Sequence, residues 1–171
     1  MGKVIITAVT HRPEDRVGSF SDKIINSVEQ LNWTHVYPKV ITKANISCWN
    51  ILGFFRSWQR KDYQIVDNSY SKIKEWSFYL SEEDALKLEA YWDSLIGRGY
   101  GVGKIIFLVL YRLTGWKWIA NLSGVICSGA IALGLSHIKF INSENPEIFG
   151  LQELEKVLDS KYQSSNINLQ N

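Results

Sequence analysis

Cysteine and proline are both scarce in this sequence, and neither sign of charge is in excess. The two cysteines, Cys48 and Cys127, lie far apart along the chain. A chain that is 46% hydrophobic needs no disulfide to fold, so both are read as reduced thiols in a reducing compartment. The formal charge is only +2, and no basic run occurs. Arg56, Arg60 and Lys61 form a loose cluster that reads as solvated surface, which argues against a nucleic-acid partner.

Targeting signals are missing too. The N-terminus, MGKVIITAVTHRPEDR, reaches Glu14 and Asp15 after a short apolar run with no cleavage-like site. Myristoylation after Gly2 needs a Ser or Thr where Ile6 stands. The expected location is therefore the cytoplasm of the producing cell. Trp118 to Ile138 carries no charged side chain, yet Asn121, Ser123, Ser128, Ser136, His137 and interspersed glycines interrupt it. That composition fits a buried helix better than a span of about 20 apolar residues, so stable membrane insertion is not expected.

What is present suits one domain. At 171 residues the chain can bury roughly 70% of its unfolded surface. Aromatics at 13%, including seven tryptophans, argue against disorder. The expected domain covers residues 1–160, followed by a polar tail over 161–171. The fold class is α+β.

Val4 to Thr10 reads as a strand. Ser19 or Ser21 caps a helix that runs to Leu31. WTHVYPKVI follows as a strand, with Trp33, His35 and Tyr37 on one side. Pro38 makes it an edge strand or interrupts it. NISCW is a short partner strand, Tyr63 to Val66 another, and WSFYL a further one. Ser81 caps a helix whose first turn is Glu82-Glu83-Asp84, acids that suit the positive end of a helix dipole. Gly97 ends it. GRGYGVG is a turn and not a phosphate loop, because Lys104-Ile105 stands where Lys-Ser/Thr is required. Lys104–Leu113 and Cys127–Leu135 read as buried helices. Leu151, Leu154, Val157 and Leu158 mark a last amphipathic one.

Two residues carry candidate chemistry. A helix N-terminus lowers a thiol's pKa, since unpaired N–H groups and the dipole favour the thiolate. Cys127 stands where an extended approach, Val125-Ile126, turns into the helix SGAIALGL. Its small neighbours, Ser128 first, let a substrate carbonyl reach the backbone. Of three histidines, His137 is too far along the same helix to fold back, and His11 reads as a loop residue beside Arg12-Pro13. His35, inside a strand pattern, is the candidate partner.

The order of these features resembles a known family. GSFSDKIINSVEQLNWTHVYPKV gives a helix followed by Thr-His-Val at a strand start. GRGYGVGKIIFLVL, ICSGAIALGL and NPEIFGLQELEKVL follow in that order. The set is similar to the circularly permuted papain-like amidases of the NlpC type. The resemblance implies a permuted papain-like antiparallel sheet or half-barrel packed against helices, with the nucleophile at a helix N-terminus. It implies Cys127 as nucleophile and His35 as base. It sets the orienting residue on the next strand, where Ser47 stands, with Asn45 nearby. Family members carry His, Glu, Asp or Gln there, and commonly an acid at the position of Gly129.

The implied activity is a cysteine hydrolase cleaving a peptide or amide bond in a peptidoglycan-like substrate, with Trp33, Tyr100 and Ser128 at the substrate. No cofactor and no metal is called for. The alternatives are an inactive binding or structural module of the same fold, and a lipid acyltransferase or thioesterase relative. A phage-encoded, virion-associated role also fits the resemblance.

Overall fold

The computed structural model describes residues 1–12, 23, 25–27, 30–51, 57–99, 126–143, 145–146 and 149–167. In chain order the elements are β1 (Gly2–His11), β2 (His35–Ile41), β3 (Ile46–Ile51), β4 (Trp58–Lys61), α1 (Tyr63–Ser69), β5 (Tyr70–Leu80), α2 (Glu82–Ser94), α3 (Cys127–His137) and α4 (Leu151–Ile167). The strands form one antiparallel sheet in the order β4-β3-β2-β1-β5. The class is α+β, as expected.

β1 is β-branched almost throughout because both of its faces are covered. Val4, Ile6 and Ala8 point into the main core, and Thr7 and Val9 are buried on the opposite side. Strand side chains alternate, so a strand flanked on both edges and both faces has little room for polar residues. The main core sits between the sheet and α2, α3 and α4. It contains Val36, Val40, Trp76, Phe78, Leu88, Trp92, Ile131, Leu135 and Leu154. A smaller cluster on the other face joins Val9, Tyr37, Cys48 and Tyr70 to Val66 of α1.

Three expectations change. β2 is an interior strand between β1 and β3, not an edge. Pro38 pairs with Ile6 on one side, while the β2–β3 ladder covers only Lys39 to Ile41. The interruption at Pro38 falls on the β3 side, where pairing stops just short of the residue that lacks an N–H. Tyr63 to Val66 is helical: Asp62 caps α1, its side chain accepting from the Gln64 N–H at 2.8 Å. The last strand begins at Tyr70, ahead of WSFYL, and pairs with β1 from His11–Tyr70 to Gly2–Leu80, with a register shift at Ala8/Val9. β4 had no periodic signal in the sequence.

Other expectations hold. Ser81 caps α2, its Oγ accepting from the Asp84 N–H at 3.0 Å, and Gly97 takes φ +86 just beyond the helix. Of the helix expected up to Leu31, residues 23 and 25–27 are helical, but Gln30 and Leu31 are not: Gln30 takes φ +52 while its N–H donates to the Asn26 carbonyl at 2.9 Å, so the helix ends before Leu31. The expected helix Lys104–Leu113 lies outside the described residues. α4 runs to Ile167, so helix continues through the first part of the segment read as a tail.

Buried tryptophans tie the layers together. Trp58 Nε1 donates to the Trp92 carbonyl at 2.9 Å, and Trp92 Nε1 donates to the Ala130 carbonyl at 2.9 Å. Trp49 Nε1 reaches Asp93 at 2.8 Å, and Trp76 Nε1 reaches Asp159 at 2.7 Å. An indole buries a large apolar surface but needs a partner for its one donor, and these four have one. Beside Trp76, Lys74 ion-pairs with Glu155 and Asp159 of α4.

Candidate active site

Cys127 is the first residue of α3. Ile126 before it is extended, at φ −100 and ψ 156, and no side chain caps the helix. The first turn's N–H groups therefore converge on this point with no carbonyl of their own helix to bond. α3 is apolar on nearly every side, which is why it packs into the core and not on the surface. Cys127 itself is 5% exposed.

The direction of α3 decides where that thiol stands. Past its C-terminus, Phe140 packs edge-on against Phe78, 5.0 Å between centroids, and Phe78 pairs with Val4 near the Gly2 end of the sheet. At the start of α3, Ser128 Oγ donates to the Phe149 carbonyl at 2.7 Å, just ahead of α4. α4 then passes Lys74 and reaches Phe78 through Tyr162. α3 therefore begins toward the opposite end of the sheet, where β1 finishes and β2 opens with His35. It packs directly against β2.

His35 is 7% exposed and pairs with Val9. Its Nε2 lies 2.5 Å from Asn50 Oδ1 on β3. Tyr70 lies beside it, ring centroids 5.3 Å apart, and the Asn50 Nδ2 donates to the Tyr70 hydroxyl at 3.4 Å. All three belong to the face that carries Tyr37 and α1. Val36, the next residue, points into the core that contains Cys127.

Ser47 is not brought to His35. It pairs with Val40, well down the strand, and alternation turns it to the α2 face beside Trp49. There its hydroxyl donates to Glu89 at 2.5 Å and is met by Arg60, which also ion-pairs with Glu89 and Asp93. Asn45 reaches the same Glu89 at 3.4 Å. The residue on the His35 ring is Asn50. The sequence reading stopped at Trp49 and missed it. The signal was parity: on a strand, Asn50 alternates against Ser47, so only one of them can share a face with His35.

The substrate-binding expectations fare differently. Trp33 is fully buried against Trp76, centroids 6.1 Å apart, and is a core residue. Ser128 is buried, and its hydroxyl is committed to Phe149. Both have structural duties inside the protein, because the segments that carry them enter the main core. Tyr100 lies outside the described residues.

The second thiol is of another kind. Burial pushes Cys48 up to about 12, with Asp67 and Asp62 adding to the rise against the pull of Lys39. It is a neutral core thiol at physiological pH. Burial also raises Tyr37, as does its 2.5 Å hydrogen bond to Asp67. Among the described residues no group of three or more His, Cys, Asp or Glu could hold a metal ion, and no helix is long and apolar enough to cross a membrane. No protein-family model matches the chain, and no curated protein matches it.

Proposed function

We propose that this protein is a papain-like cysteine hydrolase acting on a peptide or amide bond, with Cys127 as nucleophile, His35 as base and Asn50 as the residue that orients His35. The carrying observation is one arrangement. A thiol opens a buried helix that packs on β2, toward the end where a histidine opens that strand, and the ring is held by a side-chain amide. In this reading His35 takes the thiol proton, and the thiolate attacks the carbonyl. The helix N-terminal N–H groups receive the developing oxyanion. The imidazolium then protonates the leaving amine, and water releases the acyl group. A peptidoglycan-like peptide remains the proposed substrate class, and the cytoplasm the proposed site of synthesis.

One observation favours a second reading, an inactive binding module of the same fold. Asn50 and Tyr70, which meet the His35 ring, lie on the α1 face, while Cys127 shares the opposite core with Val36. A single experiment separates the two. Iodoacetamide alkylation of Cys127 at mildly acidic pH should run well above the rate of an ordinary thiol and fall in His35→Ala. A rate equal to that of an ordinary thiol, unchanged by His35→Ala, overturns the hydrolase. Muropeptides compared with short-chain esters, with Cys127→Ser as control, then distinguish an amidase from an acyltransferase.

A further inference from the structure

We propose that the outer edge of β5 is a homodimer interface, where two copies of the chain join their sheets antiparallel about a two-fold axis through Ser77. The two edges of the sheet differ. At β4 the backbone is closed: the Trp58 N–H donates to the Arg98 carbonyl and the Gly97 N–H to the Trp58 carbonyl, each at 3.0 Å. At β5, among the described residues, no strand or loop bonds the outer backbone groups of Ser71–Leu80. A long open edge is a template for another strand. Its usual safeguards, lysines and a bulge, sit at one end of β5. Val9 pairs with Lys72 and Ala8 with Lys74, so Ile73 is the extra residue of the bulge. Beyond Glu75 the stretch WSFYL carries no charge and stays regular to Leu80.

The strand fits a second copy of itself. Residues opposite one another in an antiparallel pair share a face, so the two-fold axis must set one residue against its own copy. At Glu75 or Lys74 that would oppose like charges. At Trp76 the ladder would run into the bulge at Ile73, and at Phe78 it would be cut short. Ser77, small and half-buried, gives the longest regular ladder, Lys74 to Leu80 in each copy. This register also sets Glu75 opposite the second copy's Tyr79. Tyr79 is 61% exposed, and Lys3 lies opposite it on β1 with its ammonium 5.7 Å from the ring centre. Each Tyr79 then stands between a lysine of its own chain and a glutamate of the other, a charge complement repeated by the two-fold. On the helix side Tyr162 of α4 lies 6.2 Å from Phe78, centroid to centroid, and is 39% exposed, a second ring beside the same edge.

A joint made of one strand per copy is small, so the dimer should depend on concentration. Sedimentation velocity of the full chain should show a monomer at low micromolar concentration and a dimer in the submillimolar range. Ser77→Cys tests the register. On the axis the two Cα atoms stand about 4.5–5.5 Å apart, within disulfide reach, and the native thiols Cys48 and Cys127 are buried. Mild oxidation should cross-link Ser77→Cys at least about tenfold faster than Glu75→Cys or Tyr79→Cys, whose own copies lie about 13 Å away along the ladder. The double variant Glu75→Cys/Tyr79→Cys should cross-link again, since those positions face each other. Ser77→Arg, which sets two cations at the axis, should leave the chain folded and monomeric at every concentration. A wild type that is monomeric throughout, or equal cross-linking of the three single variants, overturns the proposal. So does a dimer that a folded Ser77→Arg leaves intact. Should Ser77→Arg fail to fold, the cysteine variants decide alone. A monomer whose β5 amides slow their exchange only with an added extended peptide gives the edge to that peptide and overturns the dimer. None of these readouts involves the chemistry of Cys127, so their outcome is separate from that of the hydrolase reading.

Discussion

His35 and Asn50 meet across the β2–β3 hairpin with Nε2 and Oδ1 only 2.5 Å apart, although 15 positions separate them in the chain. The contact depends on the turn at Thr42–Asn45, where the Thr42 N–H donates to the Asn45 carbonyl at 3.0 Å and the Thr42 hydroxyl donates to Asn45 Oδ1 at 2.9 Å. That turn fixes Lys39 opposite Cys48, and the register then carries Asn50 to the ring.

Asn50→Ala should therefore slow alkylation of Cys127, and any hydrolysis, by about ten- to a hundredfold, part of the roughly 10²–10⁴-fold that a positioned acid–base group contributes. Ser47→Ala should leave both within about twofold, since its bonds are to Glu89 and Arg60. Equal effects of the two substitutions would contradict the assignment of Asn50.

Ser128→Ala should cost about 1 kcal/mol in urea unfolding, because it strips the half-buried Phe149 carbonyl of a donor. Activity per folded molecule should be kept. A loss of activity without a loss of stability would return Ser128 to the substrate.

Gly134 is required by packing. A Cβ there would run into the Trp92 indole and stand 3.0 Å from Leu88 Cδ1. Gly134→Ala should lower stability by about 1–3 kcal/mol, the usual cost of overpacking a rigid core. The gain in helix propensity, up to about 1 kcal/mol, is too small to offset an indole that is also bonded to Ala130. Thermal unfolding measures the net effect.

The chain should lose stability at alkaline pH. Cys48 is raised from 9.0 to about 12, and Tyr37 is raised above its ordinary 10.0. Both are acids whose charged form the fold disfavours. Well below pH 9 they are neutral in both states and contribute no pH dependence. Above it the unfolded chain releases protons that the folded chain retains, so unfolding is favoured by up to about 1.4 kcal/mol per pH unit for each group. Cys48→Ala should flatten the slope between pH 9 and 10, before Tyr37 joins, as urea midpoints across that range would register.

Legibility followed the range of the forces involved. The cap at Ser81 was readable because it is satisfied within one turn, and β1 because its burial demands a continuous apolar run. α1 was missed because its signal is a single capping aspartate, while Tyr63 and Val66 favour a strand on propensity. At the candidate site, Cys127 and His35 could be picked out as residue types in suggestive settings. Asn50 could not, because its role depends on a hairpin register that no local pattern announces.

By itself, then, the sequence determined the class of the fold, the capped helix α2, the buried helix opened by Cys127 and the strand that carries His35. These follow from period, capping and burial, which act over a few residues at a time. The tertiary structure decided which side chains share a face and an end of the sheet. It gave Ser47 to Glu89 and Arg60 and gave Asn50 to His35. It also committed Trp33 and Ser128 to the core. Strand alternation and register convert a shift of one residue into the opposite side of the sheet, and only the packed layers settle that choice.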